Sequence, residues 1–398
     1  MSAAVPVSEL AEQVRGVTYG KGDASSTPRP GYLPVLRAGN ITENGLTFDD
    51  LVFVPAERIS EKQRIRQNDV VIAASSGSLD VVGKAARALD DYEGGFGAFC
   101  KVLRPGPNVD PAYFAHFFRT PKYRQRVSAL AGGVNINNLR NEHLNEMQIP
   151  LPPLPEQRRI AEILDKVDAL RAKRRASLAQ LDTLTQSIFL DMFGDPATNP
   201  KGWPIEPLKN CTERIQIGPF GSLLHQEDYV DGGIPFVNPK HIQNGAIEVG
   251  SGESVTARKY AQLGAYHLRS GDVVMGRRGE MGRCAIVEES SGALLCGTGS
   301  LFIRPDNLRT GSLFLFATLS NASLKSRLER LSLGQTLPNL NSRIVEQLDI
   351  PLAPLALQRD FAQRVAGAKA LAATQDTSLS VLNNLFAAIQ HRAFRGEL

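Results

Sequence analysis

Three arginines set among glycines open the chemical reading of this chain. The run MGRRGEMGRC, at 275–284, holds Arg277, Arg278 and Arg283. Arginine can bond bidentately to guanine O6 and N7, and glycine lets a backbone approach a base edge closely. Glu280, in the same run, could accept from a cytosine amino group. The run also reads as a tight solvated hairpin whose arginines pair with Glu280, Glu288 or Glu289. The corresponding stretch of the first half, AASSGSLD, has no arginine. There Ser75, Ser76 and Ser78, with Lys84 nearby, could bond to phosphates or bases, or simply form a turn. Asn135, Asn137, Asn138, Asn339 and Asn341 make a third set. Asparagine can bond bidentately to adenine N6 and N7. It also caps helices and takes left-handed turn positions, and the matched placing of Asn138 and Asn339 favours that role for the pair.

Other chemistries find less support. There is no GxxxxGK[ST] loop for a nucleotide phosphate. No lysine follows an acidic residue by two positions, as a metal-dependent nuclease segment would require, and no [DNS]-P-P-[YF] run is present. His116, His143, His225, His241, His267 and His391 stand apart, without HxH or HExxH spacing. Asp69 and Asp272 recur at one repeat position, which points to a turn-capping role in each half rather than to a catalytic dyad. Cys100, Cys211, Cys284 and Cys296 form no CxxC pair, so zinc ribbons and disulfide frameworks are not expected, and a reducing cytoplasm fits.

Two long amphipathic stretches must position these residues. At 149–194, a proline-rich lead-in precedes a helix pattern carrying Ile163, Val167, Leu170, Leu181, Leu184 and Ile188 at spacings of three, four and their sums. Arg174 and Ser177 interrupt that seam. Pro155 suits a first helical position and Gly194 a left-handed stop. Such a helix would be roughly 58 Å long at about 1.5 Å per residue, so it needs an equally long partner. The partner is at 350–398, where Phe361, Val365, Leu379, Leu382, Phe386 and Ile389 again share one face. Both stretches open alike, IPLPPLPEQR against IPLAPLALQR, at an offset of 201.

The globular blocks before each helix repeat the same grammar. Asn44-Gly45 and Asn244-Gly245 mark hairpins. DVVIAASSGSLDVVGKAA lies opposite DVVMGRRGEMGRCAIV, and Asn138-Leu139 opposite Asn339-Leu340. Residues 1–14 read as a short helix with Leu10 and Val14 on one face. Residues 70–73, 81–86 and 99–103 read as strands, and Tyr113, Phe114, Phe117 and Phe118 as a core-facing helix broken at Pro121. The division expected is 1–150, 151–195, 196–351 and 352–398, in an α+β fold whose two duplicated mixed-β domains alternate with two long helices. Net charge is +4, distributed over those blocks as about +1, 0, +1 and +2. No block is a polyelectrolyte arm, so nucleic-acid affinity would depend on local placement of Arg and Lys. Arg171, Lys173, Arg174 and Arg175 form one dense basic run. It reads as a solvated helix face, or as a contact to DNA backbone or an acidic partner. No apolar run is long enough to span a bilayer, so no membrane association is expected.

The layout, with IPLPPLPEQRRIAEIL at 149–164, FLDMFGDP at 189–196, IPLAPLALQR at 350–359 and AFRGEL at 393–398, resembles the specificity subunit of type I restriction–modification enzymes. Ala353, Ala356 and Leu357 depart from Pro152, Pro155 and Glu156 of the first copy. The resemblance implies two target recognition domains, each reading half of a bipartite, asymmetric site in double-stranded DNA. It implies two antiparallel helices, related by a pseudo-twofold, that form a coiled coil and set the half-site distance. It implies a non-catalytic chain that assembles with two modification (methyltransferase) subunits and, in restricting enzymes, with motor subunits. S-adenosylmethionine, and ATP with Mg where a motor joins, would then sit on those partners, with no cofactor on this chain. Two other readings stay open at this stage: a coiled-coil adaptor that joins two proteins without reading DNA, and a self-contained enzyme on a duplicated domain.

Overall fold

The computed structural model describes residues 3–131, 137–250, 252–279, 281–332 and 339–397, with Asn137 and Ser222 described in backbone only. Asn135, Glu280 and the Gly132-Gly133 helix stop lie outside the described residues. The chain divides into two compact units, Met1–Ser177 with Gln375–Leu398, and Leu178–Thr374. The units thus cut each long helix in two, where the division read along the chain kept the helices whole.

Each unit is built on one antiparallel sheet with the same order. In the first, the strands run Ala11–Arg15, Cys100–Pro105, Val70–Ala73, Ala85–Arg87. In the second they run Thr212–Ile217, Ser300–Pro305, Val273–Gly276, Cys284–Ile286. Val70–Ala73 and Val273–Gly276 are buried on both faces, as their unbroken apolar runs require. Both Asn-Gly hairpins form, pairing Ile41–Thr42 with Gly45–Leu46 and Ile242–Gln243 with Ala246–Ile247. In the second, Asn244 and Gly245 both take positive φ, the pattern of a two-residue hairpin turn.

The paired registers establish which residues correspond. Asp69 matches Asp272, and Arg104 matches Arg304. Each Asp carboxylate, 1 % exposed, receives two guanidinium bonds at 2.7–2.8 Å and the backbone N–H of Arg66 or Arg269. The duplicated aspartates do cap turns, and each also closes a buried ion pair.

The N-terminus departs from the expected helix. Only Val7–Leu10 is helical, a single turn between strands Ala4–Pro6 and Ala11–Arg15, so Val14 lies on a strand. The cause is tertiary, because Ala4–Pro6 pairs with Gln148–Pro150 just before the central helix. Ile205–Pro207 pairs likewise with Asp349–Pro351 in the second unit. The aromatic helix forms as Pro111–Phe117, its Asp110 cap accepting from Ala112 and Tyr113, and resumes at Pro121. Tyr113, Phe114, Phe117 and Phe118 are buried, each contributing roughly 1.5–3 kcal/mol by area removed from water.

The central helix spans Leu154–Phe193 and the distal helix Leu355–Ala393. Pro155 therefore sits second in its helix, still within the first turn whose N–H groups lack intrahelical partners. Gly194 stops the helix at φ +78°, its N–H on Leu190 O. The distal helix starts in the same way without the proline and glutamate, because Leu357 and Gln358 donate to Pro354 O. The repeated phrase gains its meaning from its glutamine. Gln157, 1 % exposed, accepts from Asp110 N and donates to Pro152 O. Gln358, 2 % exposed, accepts from Gly311 N and donates to Ala353 O and Arg309 O. Each glutamine ties a helix start to the globular part of its own unit.

The helical stretches run antiparallel within each unit. In the first, Val167 and Phe386 are buried with Ile160, Ala161 and Leu164, while Ile163, Leu382 and Ile389 are half-buried. In the second, Phe361 and Val365 pack with Phe189, Phe193 and Phe314, with Ile188 against them. Leu181, Leu184 and Leu379 are half-buried. Leu170 is a correction, since it stands 49 % exposed. The seam steps four residues from Val167 rather than three, to Arg171, whose guanidinium lies 4.4 Å from the Phe386 ring centre. At the seam's interruption Arg174 donates to Gln375, the residue at the same repeat position in the second copy. Among the described residues no helix is long and apolar enough to cross a membrane.

Candidate nucleic-acid interface

In both units the reading candidates gather at the hairpin that follows the buried central strand. In the first unit, Ala74 N and Ser75 N donate to Phe99 O, and Leu139 N donates to Ala74 O. Ser75–Ser76 pairs with Asn137–Asn138, so the serine and asparagine candidates lie on adjacent short strands. Ser75 Oγ donates to Asn138 Oδ1 at 2.7 Å, and Ser76 Oγ accepts from Ser78 N. Ser75 and Ser76 are half-buried, and Ser78 is exposed.

The second unit builds the same corner from different residues. Arg277 N donates to Gly299 O, and Leu340 N donates to Arg277 O. Arg277 thus occupies the place of Ala74, and Arg278 that of Ser75. Arg277 is 5 % exposed; its Nε donates to Leu340 O and its Nη1 to Thr298 O. Burial, with the charge of Arg278, pulls its proton affinity below the ordinary arginine value. This corrects the grouping of the three arginines, because the Arg277 guanidinium is engaged in holding the corner together. Lys101 does that work in the first unit from another strand, its Nζ donating to Leu139 O at 2.7 Å and to Asn141 Oδ1 at 2.6 Å. Asn341 likewise caps the helix Ser342–Glu346, accepting from Ile344 N at 2.9 Å. Arg278 is exposed and Arg283 half-buried.

The loops differ where the scaffolds agree. Gly83 and Gly282 mark the return of each hairpin at φ +78° and +76°. A Cβ on Gly83 would sit 2.6 Å from the Val127 side chain on the helix Pro121–Ala131, and at φ +78° any other residue there would be strained. The intervening loop spans 75–82 in the first unit and only 278–281 in the second. Arg124 braces the longer loop by donating to Val82 O and Asp80 O. The register past each loop sets Lys84 opposite Arg283, so both candidates occupy one half-buried position.

Sequence reasoning missed Phe99. It is 64 % exposed, and its carbonyl anchors the hairpin loop; its counterpart is Gly299. No periodicity marks an aromatic placed outward at a strand's start. It also missed Arg124 and its counterpart Lys325, although both are basic at the 201 offset.

Where the first unit meets the helices, charge dominates. His116 Nε2 lies 2.7 Å from Asp165 Oδ1, and Arg87 bonds the other oxygen. Arg119 and Arg171 share Asp168, and Arg171 Nε donates to Asn383 Oδ1. Burial raises the Asp165 carboxyl, yet His116 and Arg87 outweigh it and hold it below the usual 3.8. Burial also raises Asp168, and Arg119 and Arg171 hold it low. Burial pushes the Cys100 and Cys284 thiols up to about 12, which disfavours a thiolate nucleophile. Among the described residues no group of three or more His, Cys, Asp or Glu could hold a metal ion.

Comparison with known proteins matches this architecture. The family model for the type I restriction modification DNA specificity domain matches residues 5–181 and 219–366. The chain is 31% identical to the type I restriction enzyme StySPI specificity subunit of Salmonella potsdam, over 100% of this chain and 89% of that protein. It is 30% identical to the EcoKI specificity subunit of Escherichia coli (strain K12), over 99% of this chain and 88% of that protein. Among solved structures, one from work on complex assembly and conformational transition of the type I R-M system shares the fold at a TM-score of 0.61 and 19% identity, covering 99% of this chain and 98% of that one. The S subunit of the type I system from M. genitalium does so at 0.57 and 15%, covering 98% and 95%. Matched by that family model in both of its repeats, and by such relatives almost end to end, the chain belongs to the type I restriction modification DNA specificity family.

Proposed function

We propose that this chain is the non-catalytic DNA-recognition subunit of a type I methyltransferase or restriction complex. Each globular repeat reads one half of a bipartite, asymmetric site in double-stranded DNA. The observation that carries this reading is one scaffold corner, built twice, that presents loops of different length and chemistry at 75–82 and 278–281. A duplicated adaptor would have no need to diversify that place while keeping its frame. Protein pseudo-symmetry with unequal loops suits an asymmetric site, because half-site arrangement mirrors protein symmetry. Arg278 and Arg283 would face guanine or phosphate in one half-site. Ser75, Ser76, Ser78 and Lys84 would serve the other, with Phe99 offering an apolar contact to a base or sugar.

The two helices hold the half-site spacing and dock two modification subunits, and motor subunits where cleavage accompanies modification. Leu170, Leu190, Leu371, Val381 and Leu385 leave large apolar side chains exposed along them, which supports docking on these helices. S-adenosylmethionine, and ATP with Mg, then belong to those partners. The test is a binding selection from random duplexes, with and without co-expressed modification subunits. The expected result is enrichment of one split, non-palindromic motif by the complex. Assembly without any sequence preference would leave only the adaptor reading.

A further inference from the structure

One cleft of the first unit joins two features that sequence reading kept apart. It has a volume of about 260 Å³ and lies beside the return of the hairpin loop. Lys84, Arg119, Arg124, Arg171 and Arg175 all line it. Lys84 is a candidate from the loop, and Arg171 and Arg175 come from the basic run of the central helix. Against these five positive charges stand Glu43 in the lining and Asp168, which Arg119 and Arg171 share. Among the described residues, Arg124 donates to two backbone carbonyls of the loop, Val82 O and Asp80 O. Lys84 and Arg175 line the cleft and make no side-chain hydrogen bond or ion pair with any described residue.

The second unit carries a reduced version. Its matching groove, about 390 Å³, is lined by Arg283 and Lys325, the counterparts of Lys84 and Arg124. Ser320, Ala372 and Asp376 stand at the repeat positions of Arg119, Arg171 and Arg175. The outer pair of charges is kept in both repeats with lysine and arginine exchanged. The helix-borne pair exists in the first alone.

We propose that the first-unit cleft is an anion site that takes a backbone phosphate of DNA beside the loop at 75–82, and that this anchoring is stronger in the first repeat than in the second. The site holds the duplex without reading it. Either cation can hold a phosphate, arginine as a fork and lysine as a point charge, so a Lys/Arg exchange is compatible with a backbone contact that carries no sequence information. Arg175 and Lys84 provide positive charge, and Arg171, fixed by Asp168 and Asn383, gives the cleft a rigid wall.

The inference rests on the DNA-recognition reading, and its test keeps the two apart. The complex of this chain with its modification subunits is titrated with a target and a non-target duplex over a range of salt. Arg175→Ala and Lys84→Ala are each expected to lower the slope of log affinity against log salt by about 0.9 per lost phosphate contact. A fourfold rise in salt then costs the variant about 3.5-fold less affinity than the wild type. Target and non-target duplexes weaken alike, Arg175→Lys restores the slope, and Lys325→Ala changes it less than Arg175→Ala does. An unchanged slope in a complex that still selects its target overturns the site and leaves the reading intact. A wild-type complex without sequence preference overturns the reading. Loss of the modification subunits from Arg175→Ala would mean that the cleft docks protein, against the proposal. Stabilisation by inorganic phosphate at fixed ionic strength, abolished by Arg175→Ala with the DNA slope unmoved, would assign the cleft to a free anion instead.

Discussion

Asp165 and Asp168 show how single side chains bind the first globular block to its helix. Both carboxylates are held below their unfolded value by cationic partners. A carboxyl with a depressed folded pKa contributes stability fully present above the unfolded value, here 3.8, and lost as pH falls through the folded value. The urea midpoint of the first unit should therefore drop as pH is lowered below about 3.8. An Asp165→Asn, Asp168→Asn double variant should begin less stable at neutral pH and lose less across that window; parallel curves for the two proteins would refute the latch. At this scale the sequence was readable where position in the repeat restricts the role. The repeat position of Asp69 and Asp272 predicts turn capping, and both aspartates cap turns. Asn341, weighed as base contact or cap, is used as a cap. Arg277 was not readable, because its neighbour Arg278 has the same chemistry and burial alone separates them. Phe99 was hidden because exposure leaves no mark on composition.

At the scale of elements, the two glutamines matter more than the prolines around them. Gln157 and Gln358 sit in phrases that align by eye, yet what aligns them physically is the backbone N–H each accepts from the preceding block. Gln157→Ala removes two hydrogen bonds and leaves Asp110 N without its partner, so the first unit should lose about 2–4 kcal/mol. Thermal unfolding of the full chain should show that loss, and Gln358→Ala should do the same in the second unit. A change within 0.5 kcal/mol, roughly the level of an ordinary surface substitution, would mean the phrase recurs for another reason. The long helices, their stops and the buried central strands were legible from period and punctuation. The N-terminal strands were not, since their pairing with Gln148–Pro150 joins residues far apart in the chain. The match of Lys84 with Arg283 was obscured by the unequal loops, which shift the offset from 203 before the loop to 199 after it.

For the whole molecule, the duplication was the most legible feature. It explains why the chain holds two versions of each structural device and why the polar break in the seam is Arg174 against Gln375, two copies of one position. Duplication with divergent loops is also the central claim about function. The direct measurement replaces residues 1–150, which keeps Ala4–Pro6 with its partner strand Gln148–Pro150, by the recognition block of another family member. Methylation-aware sequencing of DNA from cells carrying the complex then reports the modified motif. The account predicts that one half-site changes while the other half-site and the spacer stay as they were. A change in both half-sites, or in neither, would contradict it.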